Sequence, residues 1–457
     1  MEKIVIVGAG PAGLFASYEL INSRKDFDIT ILDKGKDIDK RNCPSPGKCT
    51  RNCKPCGIIN GVGGAGLFSD GKLIFSTEIG SNLNYLIGET KNQELVNYVQ
   101  DILEKNHNIK LANLNYDEIK KIRVKASTND IKAIFANSAH VGTDNLVNLI
   151  KNFKEDLQNK GVKFISNKNV NQILETIVKT DDGEKYPYDS VLLAPGRVGS
   201  EWLEKIIKKH NIEYKYNPLD IGVRVEVNRE ITDYITDIYR DMKFYIQTET
   251  YRDWVRTFCT CPGGKVAREK YENFNLVNGH SLYGDIGKNT NFAFLVNLRL
   301  TKPLGNSNEY GRVVAQTLNA IGQGDPVVQR LGDLKVGRRT YKEKIINDFN
   351  KSVVKPSLQE NIVYGDLGMA LPYRILLNVV EGLEKLNTIL PGVANKSTLL
   401  YAPEIKFHAL SLKTNQYLQT SKEKIYAAGD GVGWSRGIIG AAASGILAAR
   451  GMIKNYK

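Results

Sequence analysis

Residues 3–7 (Lys-Ile-Val-Ile-Val) run directly into Gly8-Ala9-Gly10-Pro11-Ala12-Gly13, and no other segment constrains the fold of this 457-residue chain as tightly. An apolar, β-branched run predicts a strand buried on both faces. The six residues that follow give G-x-G-x-x-G. Leu14 to Asn22 then reads as a helix, and Phe27 to Leu32 as a second strand ending at Asp33, 20 residues beyond Gly13. Each position has a physical role. Gly8 permits the tight turn, Gly10 lets a diphosphate approach the backbone, and Gly13 lets helix and strand pack closely. The helix start around Ala12 offers unpaired N–H groups and a positive dipole end. Asp33, with Lys34 beside it, is placed for ribose hydroxyls. G-x-G-x-x-G alone is weak evidence, but the order strand, turn, helix, strand, acid is the context that confirms it. The expectation is a dinucleotide-binding α/β domain, and both NAD and FAD are bound this way.

The far end of the chain separates the two. Lys424-Ile425-Tyr426-Ala427-Ala428-Gly429-Asp430 reads as a short strand ending in Gly-Asp. A glycine-containing loop runs to Gly437, and an Ala-rich helix to Ile453 begins at Ile438. This resembles the C-terminal Gly-Asp motif of glutathione-reductase-like FAD proteins. The resemblance implies that Asp430 binds a ribityl hydroxyl and that the helix start faces the flavin pyrimidine carbonyl. A positive helix end there would stabilise the anionic reduced flavin. Between the two ends, Thr143 reads as the N-cap of a helix from Asp144 to Lys160, closed by Gly161. Strands at 162–166, 170–178 and 185–188 follow. Val191-Leu192-Leu193-Ala194-Pro195-Gly196-Arg197 then resembles the strand end, carried here by Ala194 and Gly196, where such proteins pass close to FAD. No second G-x-G-x-x-G occurs between residues 70 and 420, so a separate NAD(P) domain is not expected.

Further segments carry a family resemblance. They are Asn60 to Lys72, with five glycines, Arg256-Thr257-Phe258-Cys259-Thr260-Cys261-Pro262-Gly263-Gly264, Asn278-Gly279-His280-Ser281, Tyr401 to Phe407, and Ser435-Arg436-Gly437-Ile438. Together these resemble the FAD-dependent dehydrogenase family of bacteria and archaea, relatives of the geranylgeranyl-reductase-like flavoproteins, across essentially the whole chain. The resemblance implies a glutathione-reductase-like, Rossmann-type FAD domain with an inserted α+β substrate domain. The FAD domain is expected over 1–215 and 396–457, with a Cys-rich loop at 40–58, and the insertion over 216–395. Gly63, Gly64, Gly66 and Ser69 are expected beside the flavin or its diphosphate, because glycine lets the chain pass close to a ligand.

The six cysteines are unevenly placed. Cys43, Cys49, Cys53 and Cys56 fall within 14 residues, in a loop that also holds Pro44, Pro46, Gly47 and Pro55. Four thiolates on a short loop can close a tetrahedral site for an iron–sulfur cluster or zinc. The spacing matches no standard zinc ribbon or ferredoxin, so cluster, zinc, or disulfides and free thiols all stay open. A [4Fe-4S] relay near the flavin is weighed slightly ahead of zinc, with a structural clamp as the plainer reading. Cys259 and Cys261 differ. Within a regular strand, side chains at i and i+2 lie roughly 7 Å apart, too far for a disulfide. These two thiols are expected at the substrate face of the flavin, as an acid or contact residue, against an equal prospect of inert buried thiols. His280 is the one histidine placed near catalysis, on the strength of Asn-Gly-His-Ser, although a lone histidine is more often structural.

Asp220 to Val227 (Asp-Ile-Gly-Val-Arg-Val-Glu-Val) alternates in polarity and opens the insertion as a sheet strand. Strands at 242–247, 257–260 and 291–298 follow, as do helices at 310–321, 342–349 and 376–386. The longest Gly/Ala-rich apolar stretch, 437–449, falls short of the ~18 residues a membrane span needs. The apolar start breaks at Gly8, unlike a secretory signal, so a soluble cytoplasmic protein is expected. Lys and Arg number 63 against 50 Asp and Glu, a net charge of +13. That charge suits an acidic electron-transfer protein such as a ferredoxin or flavodoxin, or phosphate contacts, or simply a lysine-rich surface. The leading expectation is an FAD-dependent oxidoreductase moving hydride or electrons between flavin and a small organic substrate. The alternatives are an FAD-dependent tRNA-modifying enzyme, disfavoured by scattered rather than striped basic residues, and a non-catalytic flavin or metal redox sensor.

Overall fold

The computed structural model describes residues 1–43, 53–68, 71–107, 109–271, 273–280, 287–301, 304–346, 354–407 and 410–456. Cys49 and Ser69, both expected at functional positions, lie outside these residues. The chain divides into two compact units, Met1–Ala112 with Ala136–Asn217 and Ala409–Lys457, and Asn113–Phe135 with Pro218–His408.

The first unit is built on a five-stranded parallel sheet in the order Ile425–Ala427, Ser190–Leu193, Glu2–Val7, Phe27–Leu32, Lys163–Ile165. Ile4, Ile6, Ile29, Ile31 and Val191 to Leu193 are buried, as continuous apolar runs in a sheet covered on both faces should be. The helices Pro11–Ile21 and Ile438–Lys454 cross so closely that a Cβ on Gly445 would lie 2.0 Å from the Ala12 carbonyl oxygen. That crossing explains why the last helix is rich in Gly and Ala: only small side chains let two backbones approach this far. Val170–Ile173, Ile177–Thr180 and Lys185–Pro187 form a separate antiparallel sheet, and Asp181-Asp182-Gly183 turns the second strand into the third. The order parallel sheet, small meander, return strand makes the fold a Rossmann-type α/β unit.

The second unit carries an eight-stranded sheet in the order Val363–Tyr364, Val327–Arg330, Leu399–Lys406, Leu219–Asn228, Asn289–Leu298, Trp254–Pro262, Phe244–Gln247, Ile131–Ala133. All of its pairings are antiparallel except the first. The helix Tyr373–Leu386 packs its buried Ile375, Val379, Leu383 and Leu386 into the same apolar cluster as the sheet residues Phe292, Phe294 and Val255. Two sequence boundaries differ from expectation. Leu399–Lys406 pairs with Leu219–Asn228 at the centre of this sheet, so the chain leaves the second unit near 408 rather than 395. Ile131–Ala133 forms its edge against Phe244–Gln247, which draws Asn113–Phe135 into the unit as well.

The alternation in Leu219–Asn228 suggests one solvated face, yet Asp220, Arg224 and Glu226 are fully buried. Each is partnered. Arg256 and Asn297 both donate to Asp220 at 2.7 Å. Asn289 donates to Glu226 at 2.9 Å and the Tyr401 hydroxyl at 2.5 Å. A buried charge persists only with such partners, so the polar face of this strand is a second interior rather than a surface.

Candidate functional site

In the first unit, the chain turns at the carboxyl ends of the parallel strands, where open α/β sheets place their ligands. Gly8 follows Glu2–Val7 with φ +112°, a conformation glycine adopts and other residues rarely do. A Cβ there would lie 2.1 Å from the Ala194 carbonyl oxygen, and one on Gly13 would lie 2.1 Å from that of Gly8. These two glycines are therefore demanded by the fold itself. Gly10 is different: its φ of −80° suits any residue, and a Cβ would meet only the Gly64 Cα, at 3.7 Å. Pro11 at the first helical position costs no paired donor, and the next amides, of Ala12 and Gly13, have no intrahelical acceptor.

Asp33 closes the second strand. Its carboxylate accepts from the Ala9 amide at 2.9 Å and the Gly35 amide at 2.8 Å. Two of its roughly four acceptor positions are thus spent on fixing the turn. Lys34 is half-buried, and that burial holds its ammonium below the usual lysine range despite the neighbouring Asp33 charge.

The glycine segment lies on this turn. Gly63 donates to the Ala9 carbonyl at 2.8 Å, and a Cβ on Gly64 would come within 3.1 Å of the Gly10 Cα. A Cβ on Gly66 would press on Ile438 at 2.9 Å, which brings the same segment to the start of the last helix. Arg41, absent from the sequence expectations, secures it. The buried guanidinium donates to the carbonyls of Gly57 (3.0 Å), Ile58 (2.7 Å), Gly61 (3.3 Å) and Val62 (2.6 Å). Its burial draws the pKa down to about 10. No spacing rule points to a lone arginine that satisfies main-chain carbonyls, so sequence offers no signal for it.

The remaining two strand ends meet as well. Ala194 donates to Val7, Ala428 donates to Leu193, and a Cβ on Gly431 would lie 2.3 Å from the Gly196 carbonyl oxygen. Gly429 donates to Ser444 at 2.9 Å, tying the loop to the last helix. Asp430 accepts from Ser435 at 2.7 Å, faces Arg197 at 3.6 Å, and takes a bond from the Gly437 amide. Burial nevertheless pushes its carboxyl above the usual carboxylate range. Gly196 and Gly437 both look into open space, with nothing within 4 Å of an added Cβ. All the cofactor-binding residues expected from sequence and described here therefore gather at one end of one sheet. The open positions at Gly10, Gly196 and Gly437 leave a cradle that fits a bound dinucleotide.

The Cys-rich loop does not match its expectation as clearly. Cys43 and Cys56 are half-buried and Cys53 exposed, each a free thiol, while Cys49 lies outside the described residues. Among the described residues, no three His, Cys, Asp or Glu side chains form a ligand set. With Cys49 and the rest of residues 44–52 outside the described residues, no metal or cluster chemistry is assigned to this loop.

Cys259, Cys261 and His280 belong to the second unit. His280 ends the strand Asn275–His280 and is exposed. Cys259 and Cys261 sit in Trp254–Pro262, where the pairing with Asn289–Leu298 steps from Phe258↔Ala293 to Cys261↔Asn291. Three residues thus face two, a β-bulge, and Cys259 takes φ +50° within it. The alternation that would keep the thiols apart is broken, and the Cys261 thiol donates to the Cys259 carbonyl at 3.6 Å.

Residues 218–406 match the family described as "FAD-dependent protein, C-terminal domain-like". An uncharacterized protein of Clostridium beijerinckii (strain ATCC 51743 / NCIMB 8052) is 27% identical over 483 residues, covering 99% of this chain and 81% of its own. Among solved structures, L-proline dehydrogenase from P. horikoshii aligns with a TM-score of 0.39 and 11% identity, over all of this chain and 94% of the other. Glycine oxidase from Geobacillus kaustophilus aligns at 0.37 and 10%, over all of this chain and 96% of the other. At TM-scores this low the likeness says nothing of this chain's own chemistry. Among the described residues, no helix is long and apolar enough to cross a membrane.

Proposed function

We propose that this protein is an FAD-dependent oxidoreductase that moves hydride or electrons between its flavin and a small organic substrate. The observation that carries the reading is the convergence of the Gly8–Gly13 turn, Asp33, Gly63–Gly64, Gly196 and Gly429–Asp430 at the carboxyl ends of one parallel sheet. The family match over residues 218–406 supports it independently, because that family is described as FAD-dependent and lies in the other unit.

The residues divide the work. The amides of Ala12 and Gly13, at a positive helix end, would hold a diphosphate. Asp33 keeps free acceptor positions for ribose hydroxyls, and Asp430 would do the same for a ribityl hydroxyl. The start of Ile438–Lys454, uncapped by any side chain, presents a second positive dipole end that favours an anionic ring edge. When bound, the flavin supplies the hydride and electron chemistry itself. Arg41 positions the glycine segment without entering that chemistry.

A protein electron donor, acidic and ferredoxin-like or flavodoxin-like, fits the +13 charge and the single dinucleotide motif. The test is direct. Purified protein should carry one FAD per chain, seen in its visible absorption, and reconstitution should restore it after removal. Anaerobic titration should then reduce the flavin with reduced ferredoxin faster than with NADH or NADPH. Failure to bind FAD overturns the whole reading; rapid reduction by NAD(P)H alone overturns only the donor.

A further inference from the structure

The thiol pair in the bulge of the second unit supports chemistry of its own. We propose that Cys259 and Cys261 form a redox-active dithiol, in which Cys259 attacks a small organic disulfide and Cys261 resolves the product.

Four features carry this. The bulge breaks the i, i+2 alternation of a regular strand, and the Cys261 thiol reaches back to the Cys259 carbonyl at 3.6 Å. The Thr260 amide donates to Asp241 at 3.0 Å, which pins the extra residue in place. Cys259 holds a positive φ that a non-glycine residue rarely adopts, and such strain gathers at functional positions. Next, a fully buried guanidinium faces the pair: Arg224 donates to the Cys259 carbonyl at 2.7 Å and to the Cys261 sulfur at 3.4 Å. Asn291 orients it through its Nε at 2.8 Å. Gly279 leaves room for it, since a Cβ there would lie 1.7 Å from Nη2. Finally, the thiols differ in exposure. Cys261 is 3% exposed, whereas Cys259 keeps part of its surface exposed, so Cys259 is the thiol of the pair open to an external disulfide.

The charges around Cys259 favour its thiolate. The hydrogen bond from Cys261 comes first, then the Arg224 charge, against burial and the carboxylates of Asp241 and Glu404; together they draw the thiol down to about 6. Both carboxylates are themselves paired, Asp241 with Lys243 at 2.8 Å and Glu404 with Lys406 at 2.9 Å. A partly exposed thiol in an electropositive setting is the arrangement that makes cysteine reactive.

The reaction balances. The Cys259 thiolate attacks one sulfur of R–S–S–R, that bond breaks, and R–S⁻ leaves and takes up a proton. Cys261 then gives up its proton and attacks the Cys259 sulfur, releasing the second R–S⁻, which is protonated in turn. Two thiols are oxidised to one disulfide, and one organic disulfide is reduced to two thiols.

Trypsin releases Thr257–Lys265 with both cysteines and no others. After the reduced full-length protein meets oxidised glutathione, this peptide should be two hydrogens lighter. Cys261→Ser should instead trap glutathione on Cys259, and Cys259→Ser should leave Cys261 unmodified. Alkylation of Cys259 by iodoacetamide in Cys261→Ser, which lacks the first stabilising bond, should need a higher pH than in the wild type. An unmodified peptide in the folded wild type, or equal trapping on either single variant, overturns the proposal. Serine is close to cysteine in size, and circular dichroism of each variant confirms that the fold is retained.

Discussion

Gly10→Ala separates a glycine kept for a ligand from glycines kept for the fold. Gly10 has φ −80° and ψ −176°, which alanine adopts freely, and the added Cβ would meet nothing nearer than the Gly64 Cα at 3.7 Å. Two small terms remain. Losing glycine's freedom in the unfolded chain stabilises by about 0.4–1 kcal/mol. Alanine is a poorer N-cap than glycine by roughly 0.5–1 kcal/mol. They offset, so the stability of the apoprotein should change by less than about 0.5 kcal/mol, or 1–2 °C in Tm for a unit of this size. Gly13→Ala is the control. Its Cβ would sit 2.1 Å from the Gly8 carbonyl oxygen, a backbone atom that cannot swing aside. That places it at the top of the overpacking range, about 3 kcal/mol or roughly 6–12 °C. For FAD the order reverses in meaning. If the diphosphate approaches the Gly10 backbone, a methyl group there costs about 1–3 kcal/mol of binding, roughly 5- to 150-fold in Kd. The assay pairs thermal unfolding of the two apoproteins with FAD titration followed by flavin fluorescence. Gly10→Ala that binds FAD like the wild type refutes the site. Gly10→Ala that unfolds like Gly13→Ala refutes the geometry.

Other expectations follow from the same residues. Arg41→Met leaves four carbonyls without their donor, which should cost about 3 kcal/mol or more and strip FAD from the purified protein; unchanged Tm and flavin content would count against the clamp. Asp430→Asn should stabilise the apoprotein at neutral pH while weakening FAD retention. The sign follows from its raised folded pKa: the wild type is at its best below the unfolded pKa near 4 and loses stability as pH rises through the folded value, whereas asparagine does not titrate. Equal Tm for variant and wild type from pH 4 to 8 would refute it. Cys259→Gly should gain up to about 1 kcal/mol by relieving the positive φ, net of glycine's added freedom in the unfolded chain, and should abolish disulfide exchange; a loss of stability would show that the side chain, not the backbone, is what the bulge needs.

The cofactor cradle was readable because its chemistry is local. A buried strand followed by glycine, or by Gly-Asp, announces a tight turn within a few residues, and a parallel sheet then brings such turns to one end by construction. Gly8, Gly13 and Gly429 needed no knowledge of distant contacts to be suspected. The helix Glu89–His107 and the edge strand Ile131–Ala133 were not singled out, for opposite reasons. The helix does carry an apolar stripe, Leu95, Val96, Val99, Ile102 and Leu103, all buried at helical spacing, so its signal was present in the sequence. The strand is three residues long, and what defines it is pairing with Phe244–Ile246, more than a hundred positions away.

The second unit shows where alternation misleads. Asp220, Arg224 and Glu226 fall on the polar side of a period-two pattern, which in an antiparallel sheet ordinarily means solvent. Here that side meets Arg256, Asn289, Asn291, Glu404 and Tyr401, so it is buried, and Asp220, Arg224 and Glu226 each find a partner there. Three ionisable residues cannot be held in such an interior for stability alone, because apolar residues of similar volume would pack there at less cost. What the arrangement secures is placement. Arg224 can stand beside the Cys259–Cys261 bulge only because Asn291 and Glu404 hold it there and Gly279 leaves it room. The motifs that looked separate in sequence, Phe-Cys-Thr-Cys-Pro and Asn-Gly-His-Ser, thus meet on one side chain that neither contains. His280 was the conspicuous member of the second motif, but the residue the structure needs is the glycine before it.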